Sequence, residues 1–277
     1  MAAVTTDTLL AIALEMAGLS EPPPDCAIGF PGTRISHILI GLDVGPAELF
    51  MARQLGYHAV IALRPYAVPA EAWRLVEWHE QRLRMLGVQR ERHQLGLVAI
   101  ETQLRAAALA ANQDTLPSVA RLLEMPLVTI GSPLDELARS RVHEVAEDLT
   151  STKPAPTVGQ LREALLALPE FAAAPVKPWQ PLGREDAPIR WLLALPGGLA
   201  VPNKLTISAY FQAGKTTLLC PDLPVESFGH LAPSDPTINL LLTGRSATAS
   251  LGANPYIARL RAEGLEVHPF AGLLPAT

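Results

Sequence analysis

Asp43 and Arg64 each stand at the end of a short apolar run, and Glu101 and Arg105 open and close the segment ETQLR behind another. Carboxylates in such places can ligate a cation or move a proton, and guanidinium groups can hold a phosphate or carboxylate bidentately. The reason to look there is positional, because ligands in open α/β sheets collect at the carboxyl ends of the strands. Asp43 closes ISHILIGLD, and Arg64 closes YHAVIAL just before Pro65. The run LGLVAIET is expected to be a further strand, which puts Glu101 near its end.

Other constellations carry less. AYFQAGKTT, residues 209–217, lacks the first glycine of a phosphate-binding loop, because Ala209 stands there. A helix precedes it and a strand follows, the reverse of such a loop, so Gly214 reads as a helix cap. HEVAE, from His143, lacks the second histidine of a helical zinc motif and reads as a solvated helix face. Gly197 and Gly198 lie between a strand and a helix, and backbone N–H groups there can cradle an anion. Without the longer fingerprint they read better as a tight turn. The 7 histidines are scattered, and no Ser–His–Asp or Cys–His set follows from their spacing.

The elements that must position these residues begin with residues 35–65. An apolar run, a helical repeat closed by Gly56 and a second apolar run make one strand–helix–strand unit with a buried parallel pair. Gly56 fits the position after a helix where positive φ is wanted. A helix over 5–18 precedes this unit, and PAEAWRLVEWHEQRLRML is a helix after it. Helices are expected in NQDTLPSVARLLEM, PLDELARSRVHEVAEDL and VGQLREALLAL, with a short strand in 125–131 and a linker over 151–156. Residues 171–188 read as loop. The later strands are IRWLLAL, TTLLC, TINLLLTG and LEVHPF, with helices NKLTISAYFQAG and NPYIARLRAEG between them. The chain therefore reads as α/β, two similar lobes with mostly parallel sheets over 1–150 and 151–277. An internal duplication and two merely similar lobes both remain open, as does one composite domain.

Composition narrows the partners. A net charge of −5 gives no basic footprint for nucleic acid, and no apolar run is long enough to span a bilayer. A cytoplasmic protein is expected, since the amino terminus lacks a signal-peptide pattern. The 2 cysteines, Cys26 and Cys220, are far apart and read as buried small hydrophobes.

The order of DCAIGFPG, HILIGLDVGPAELFMARQLGYHAVIALRP, LVAIETQLRAA, VGQLREALLALP, LPGG and TINLLLTG through VHPFAGLLPAT resembles the NIF-three-like family, many of whose members are called type 2 GTP cyclohydrolase I. The resemblance implies two α/β lobes, ring-shaped hexamers built from dimers, and a dinuclear metal centre. It places one pair of metal ligands at Leu63 and Arg64, a second at Glu101 and Arg105, and the carboxyl-terminal ligands at Leu273 and about Thr277. Leucine donates nothing to a metal and arginine repels a cation, so the dinuclear centre is expected to be lost and no cofactor is expected.

The resulting expectation is a degenerate family member acting as a binding or assembly protein, a homo-oligomer, with no membrane or nucleic-acid partner. Arg64 and Arg105 either join Glu101 in an ion-pair network or hold a small anionic ligand in place of the metals. The alternative is a metal-dependent hydrolase or cyclohydrolase with shifted ligands, for instance Glu101, Asp43 and His268.

Overall fold

The computed structural model describes residues 3–274 except 153–154, 196, 225–226 and 228–237. The strand–helix–strand unit forms as its pattern dictates. Strands β2 (His37–Gly41) and β3 (Ala59–Ala62) pair in parallel, with Ile38 opposite Ala59 and Gly41 opposite Ala62. Helix α2 (Pro46–Gln54) crosses between them, starting on a proline whose missing N–H is no loss there. The Glu48 carboxylate accepts the Gly45 N–H at 2.8 Å, and Gly56 takes the expected left-handed conformation, φ 80°.

The chain forms two compact units, each discontinuous in sequence: 1–72, 105–138 and 249–277 make the first, and 73–104 and 139–248 the second. In the first, β1 (Ala27–Phe30), β4 (Leu127–Thr129), β3, β2 and β9 (Glu266–Phe270) form one sheet in that order. All its pairings are parallel except that of β1 with β4. Successive residues face opposite sides, so Ile38, Ile40 and Ile61 pack into one apolar cluster while Leu39, Val60 and Ala62 pack into another. The first cluster takes in α1 (Thr6–Ala17) and α10 (Arg245–Ala262). The second takes in α2 and α5 (Thr115–Leu123). Gly252 of α10 lies so close to the Leu134 carbonyl of α6 (Ser132–Thr152) that a Cβ there would overlap it.

The second unit holds a sheet of β5 (Trp179–Leu182), β8 (Asn239–Leu242), β7 (Thr217–Cys220) and β6 (Leu192–Ala194), again parallel save for the edge strand β5. Its strands follow the order 5-8-7-6 where the first sheet runs 1-4-3-2. The two lobes are therefore similar in connectivity, and β9 is an addition to the first. Around this sheet lie α3 (Val76–Met85), preceded by a turn of 3-10 helix, α7 (Val158–Leu166), α8 (Pro169–Ala173) and α9 (Lys204–Gln212).

Five expectations need correction. LGLVAIET is not a strand but the middle of α4 (Arg90–Ala110), whose buried residues Leu97, Ile100, Leu104 and Ala108 follow helical spacing. Residues 171–188 contain β5 and most of α8. Helix α10 starts at Arg245 and carries Pro255 inside it. A division at 150/151 falls inside α6, and pairing with β2 returns β9 to the first unit. The linker expected at 151–156 has its first two residues in α6, and 153–154 lie outside the described residues.

Candidate functional site

Asp43 and Arg64 both lie just past the carboxyl ends of their strands, at one end of the first sheet. The Arg64 N–H donates to the Leu42 carbonyl at 3.2 Å, and the Leu42 and Asp43 N–H groups share the Ala271 carbonyl at 3.2 and 3.4 Å. Asp43 is exposed and Arg64 half-buried. Beside them, Leu63 and Leu273 are only 5% and 6% exposed and belong to the apolar cluster of that face. Thr277 lies outside the described residues.

The same end carries a buried carboxyl group that its loop position did not reveal. Asp25 accepts hydrogen bonds from the Ser132 N–H and hydroxyl, both at 2.9 Å, and so caps the amino terminus of α6. Burial raises its pKa, opposed by the two bonds from Ser132. A Cβ on Gly131 would overlap the Asp25 carboxylate, so only glycine fits between cap and strand. Burial likewise pushes the neighbouring Cys26 thiol up, with the Asp25 charge adding to it, which makes it a poor nucleophile.

Glu101 and Arg105 lie one turn apart on α4, the former half-buried and the latter exposed. His268 is turned away from the carboxyl-end group. Its Nδ1 meets the Tyr57 hydroxyl at 3.1 Å and its Nε2 lies 3.5 Å from Glu266, which opens β9. His37, which opens β2, reaches the same carboxylate at 2.8 Å. The Ser36 hydroxyl lies 3.0 Å from Nδ1 of both His37 and His58. These residues form a half-exposed polar network at the amino ends of β2, β3 and β9. Sequence reasoning missed it by searching carboxyl ends only; its signal was a histidine or glutamate opening or just preceding each strand.

In the second unit, His79 is buried between Tyr210 and the Ala200 carbonyl, at 2.9 and 2.7 Å. Nε2–H donates to the carbonyl, so Nδ1 accepts from the phenol and the ring is neutral. Burial, aided by the Arg82 charge, lowers its pKa from 6.5 to about 4. His143 accepts the Ala194 N–H at 3.3 Å, so it serves the end of the edge strand β6 as well as a helix face. Gly214 caps α9 with φ 83°, as its spacing implied, and Gly198 turns with φ 88°. A cleft of about 310 Å³ between the α3–α4 turn and the end of α9 is lined by Leu86, Gly87, Val88, Gln89, Gln212 and Ala213. Without a titratable side chain in that lining, it offers binding and no acid–base chemistry. Among the described residues, no group of three or more His, Cys, Asp and Glu is placed to hold a metal ion, and no helix is long and apolar enough to cross a membrane.

Two sheets of mostly parallel strands with repeated strand order, and polar groups gathered at both ends of the first, define a two-lobed α/β protein. The NIF3 superfamily protein from Sphaerobacter thermophilus matches it at 33% identity with a TM-score of 0.90, over 99% of this chain and 100% of that one. The chain belongs to the NIF3 superfamily. The Bacillus cereus protein related to NIF3 (10% identity, TM-score 0.51, 96% of each chain) shares the fold. So does HcgD from Methanocaldococcus jannaschii in its reduced form (11%, TM-score 0.57, 97% of this chain and 98% of that one). No protein-family model and no curated protein matches the chain.

Proposed function

We propose that this chain works without the dinuclear metal centre implied by the family resemblance, as a binding and assembly protein that forms homo-oligomers and holds a small anion at Arg64. The observation that carries the reading is the burial of Leu63 and Leu273 in the apolar core at two of the implied ligand positions. A pair of divalent cations needs several oxygen or imidazole donors, and these positions supply two hydrocarbon side chains, two permanent positive charges at Arg64 and Arg105, and a single carboxylate at Glu101. The donor set does not fit the metals. A half-buried guanidinium at a strand's carboxyl end does fit a carboxylate or phosphate.

Elemental analysis of protein purified without chelator or affinity metal tests the first part, together with its mass in solution. Metal well below one equivalent per chain, in a particle heavier than one chain, is the expected result. Two equivalents of a transition metal overturn it in favour of a metal-dependent hydrolase with shifted ligands. Titration with inorganic phosphate tests Arg64: Arg64→Ala is expected to abolish binding with little loss of thermal stability. Lost stability with unchanged binding assigns Arg64 to an ion-pair network instead.

A further inference from the structure

Helix α4 is apolar on two sides. His93, Leu97, Ile100, Leu104 and Ala108 face inward and are buried. Leu95 and Leu109 are 74% and 90% exposed, Val98 is 47% exposed, and Thr102 and Ala106 are exposed between them. At about 100° per residue these five outward positions fall within an arc of roughly 80°. Their 3- and 4-residue spacing is that of a coiled-coil seam. An outward apolar stripe on the side of a helix away from its buried face, rimmed by charged residues, is the kind of surface that marks a contact with another molecule.

The stripe is symmetric about Thr102: Leu95 and Leu109 stand seven residues to either side of it, and Val98 and Ala106 stand four. An identical helix laid antiparallel on it therefore sets Leu95 against Leu109 and Val98 against Ala106, twice over, about a two-fold axis. Charge agrees with this pairing. Glu101 and Arg105 lie on one flank of the stripe, and in the antiparallel register each Arg105 comes within about two residues, roughly 3 Å along the axis, of the partner helix's Glu101 level. The other flank carries Ala99 and Ala110, which let the backbones approach. Opposed helix dipoles favour the same orientation.

We propose that the outward stripe of α4 is a self-association surface on which a second copy of this chain lays its own α4 antiparallel, Thr102 against Thr102. The inference rests on the assembly reading above and adds the surface and register to it. Glu101 and Arg105 then serve as the charged rim of a contact between copies.

Cross-linking tests the register. Thr102→Cys places two thiols on the two-fold axis and is expected to give a disulfide-linked dimer under mild oxidation. Glu91→Cys, whose copies lie about 33 Å apart in this register, is expected to give none. Leu95→Glu/Leu109→Glu changes only exposed positions and is expected to weaken association ~100-fold or more while its thermal midpoint stays near that of the monomeric unit. Arg105→Glu is expected to weaken it ~10-fold, and Glu101→Arg/Arg105→Glu to restore it. A wild-type oligomer that neither cross-links through Thr102→Cys nor dissociates in the double-leucine variant overturns this surface and leaves the assembly reading standing. A wild-type monomer overturns both.

Discussion

Each unit contains a histidine whose Nδ1 faces a tyrosine hydroxyl, and the two pairs live in opposite environments. In the first unit Tyr57 and His268 meet at 3.1 Å with their rings edge to face, and the His268 side chain is 47% exposed beside Glu266. In the second unit Tyr210 and His79 meet at 2.9 Å in the interior, and the other nitrogen of His79 is taken by a carbonyl. The residue types are the same and the consequences are not. Water can replace either partner of the outer pair. The inner pair has no such substitute, which holds His79 neutral and pushes the Tyr210 phenol up.

The largest effect that separates the two pairs is acid sensitivity. The folded-state pKa of His79 lies below its unfolded value, so between pH 6.5 and about 4 the unfolded chain binds a proton that the folded one does not. Stability is therefore full above pH 6.5 and falls as the pH drops towards 4, by about 3 kcal/mol from this residue alone. Urea denaturation of wild type and His79→Gln at pH 7 and pH 4.5 checks it. The variant is expected to lose that much less on acidification, and parallel losses would break the comparison. Next in size is Tyr210→Phe, which leaves the buried Nδ1 of His79 without a donor and is expected to cost about 2 kcal/mol at pH 7. Tyr57→Phe sharpens the contrast from the other side, with an expected cost below about 0.5 kcal/mol. A Tyr57 variant as unstable as the Tyr210 variant would mean that burial is not what distinguishes the pairs.

How far the sequence revealed these features follows from the range over which each signal acts. The strand–helix–strand unit over 35–65 was legible because everything that specifies it lies within it: two apolar runs, a proline at the helix start and Gly56 behind its end. Helix α4 was misread because Leu95 and Val98 on its outer face alternate along the chain with Leu97 and Ile100 on its inner face, turning a helical period into a continuous apolar run. Gly96 looked like punctuation. It is a contact, since a Cβ there would meet Thr206 of α9. Asp43 and Arg64 were correctly placed at one end of the sheet, because strand ends are local features. Asp25 was not found, since its partner Ser132 lies 107 residues away and nothing near Asp25 announces it. The His37, His58 and Glu266 network escaped for the same reason: cross-strand register brings it together, and spacing within one segment does not show it.

The return of β9 to the first sheet has a consequence during synthesis. As the chain leaves the ribosome, β2 emerges early with one side able to pair with β3, while its other side waits for residues 266–270. The whole sequence of the second unit is made in between, so that unit can fold first even though the amino terminus belongs to the other. Until residues 266–270 emerge, the nascent first unit carries an open strand edge of buried isoleucines and leucines, the kind of surface that recruits chaperones or a neighbouring nascent chain.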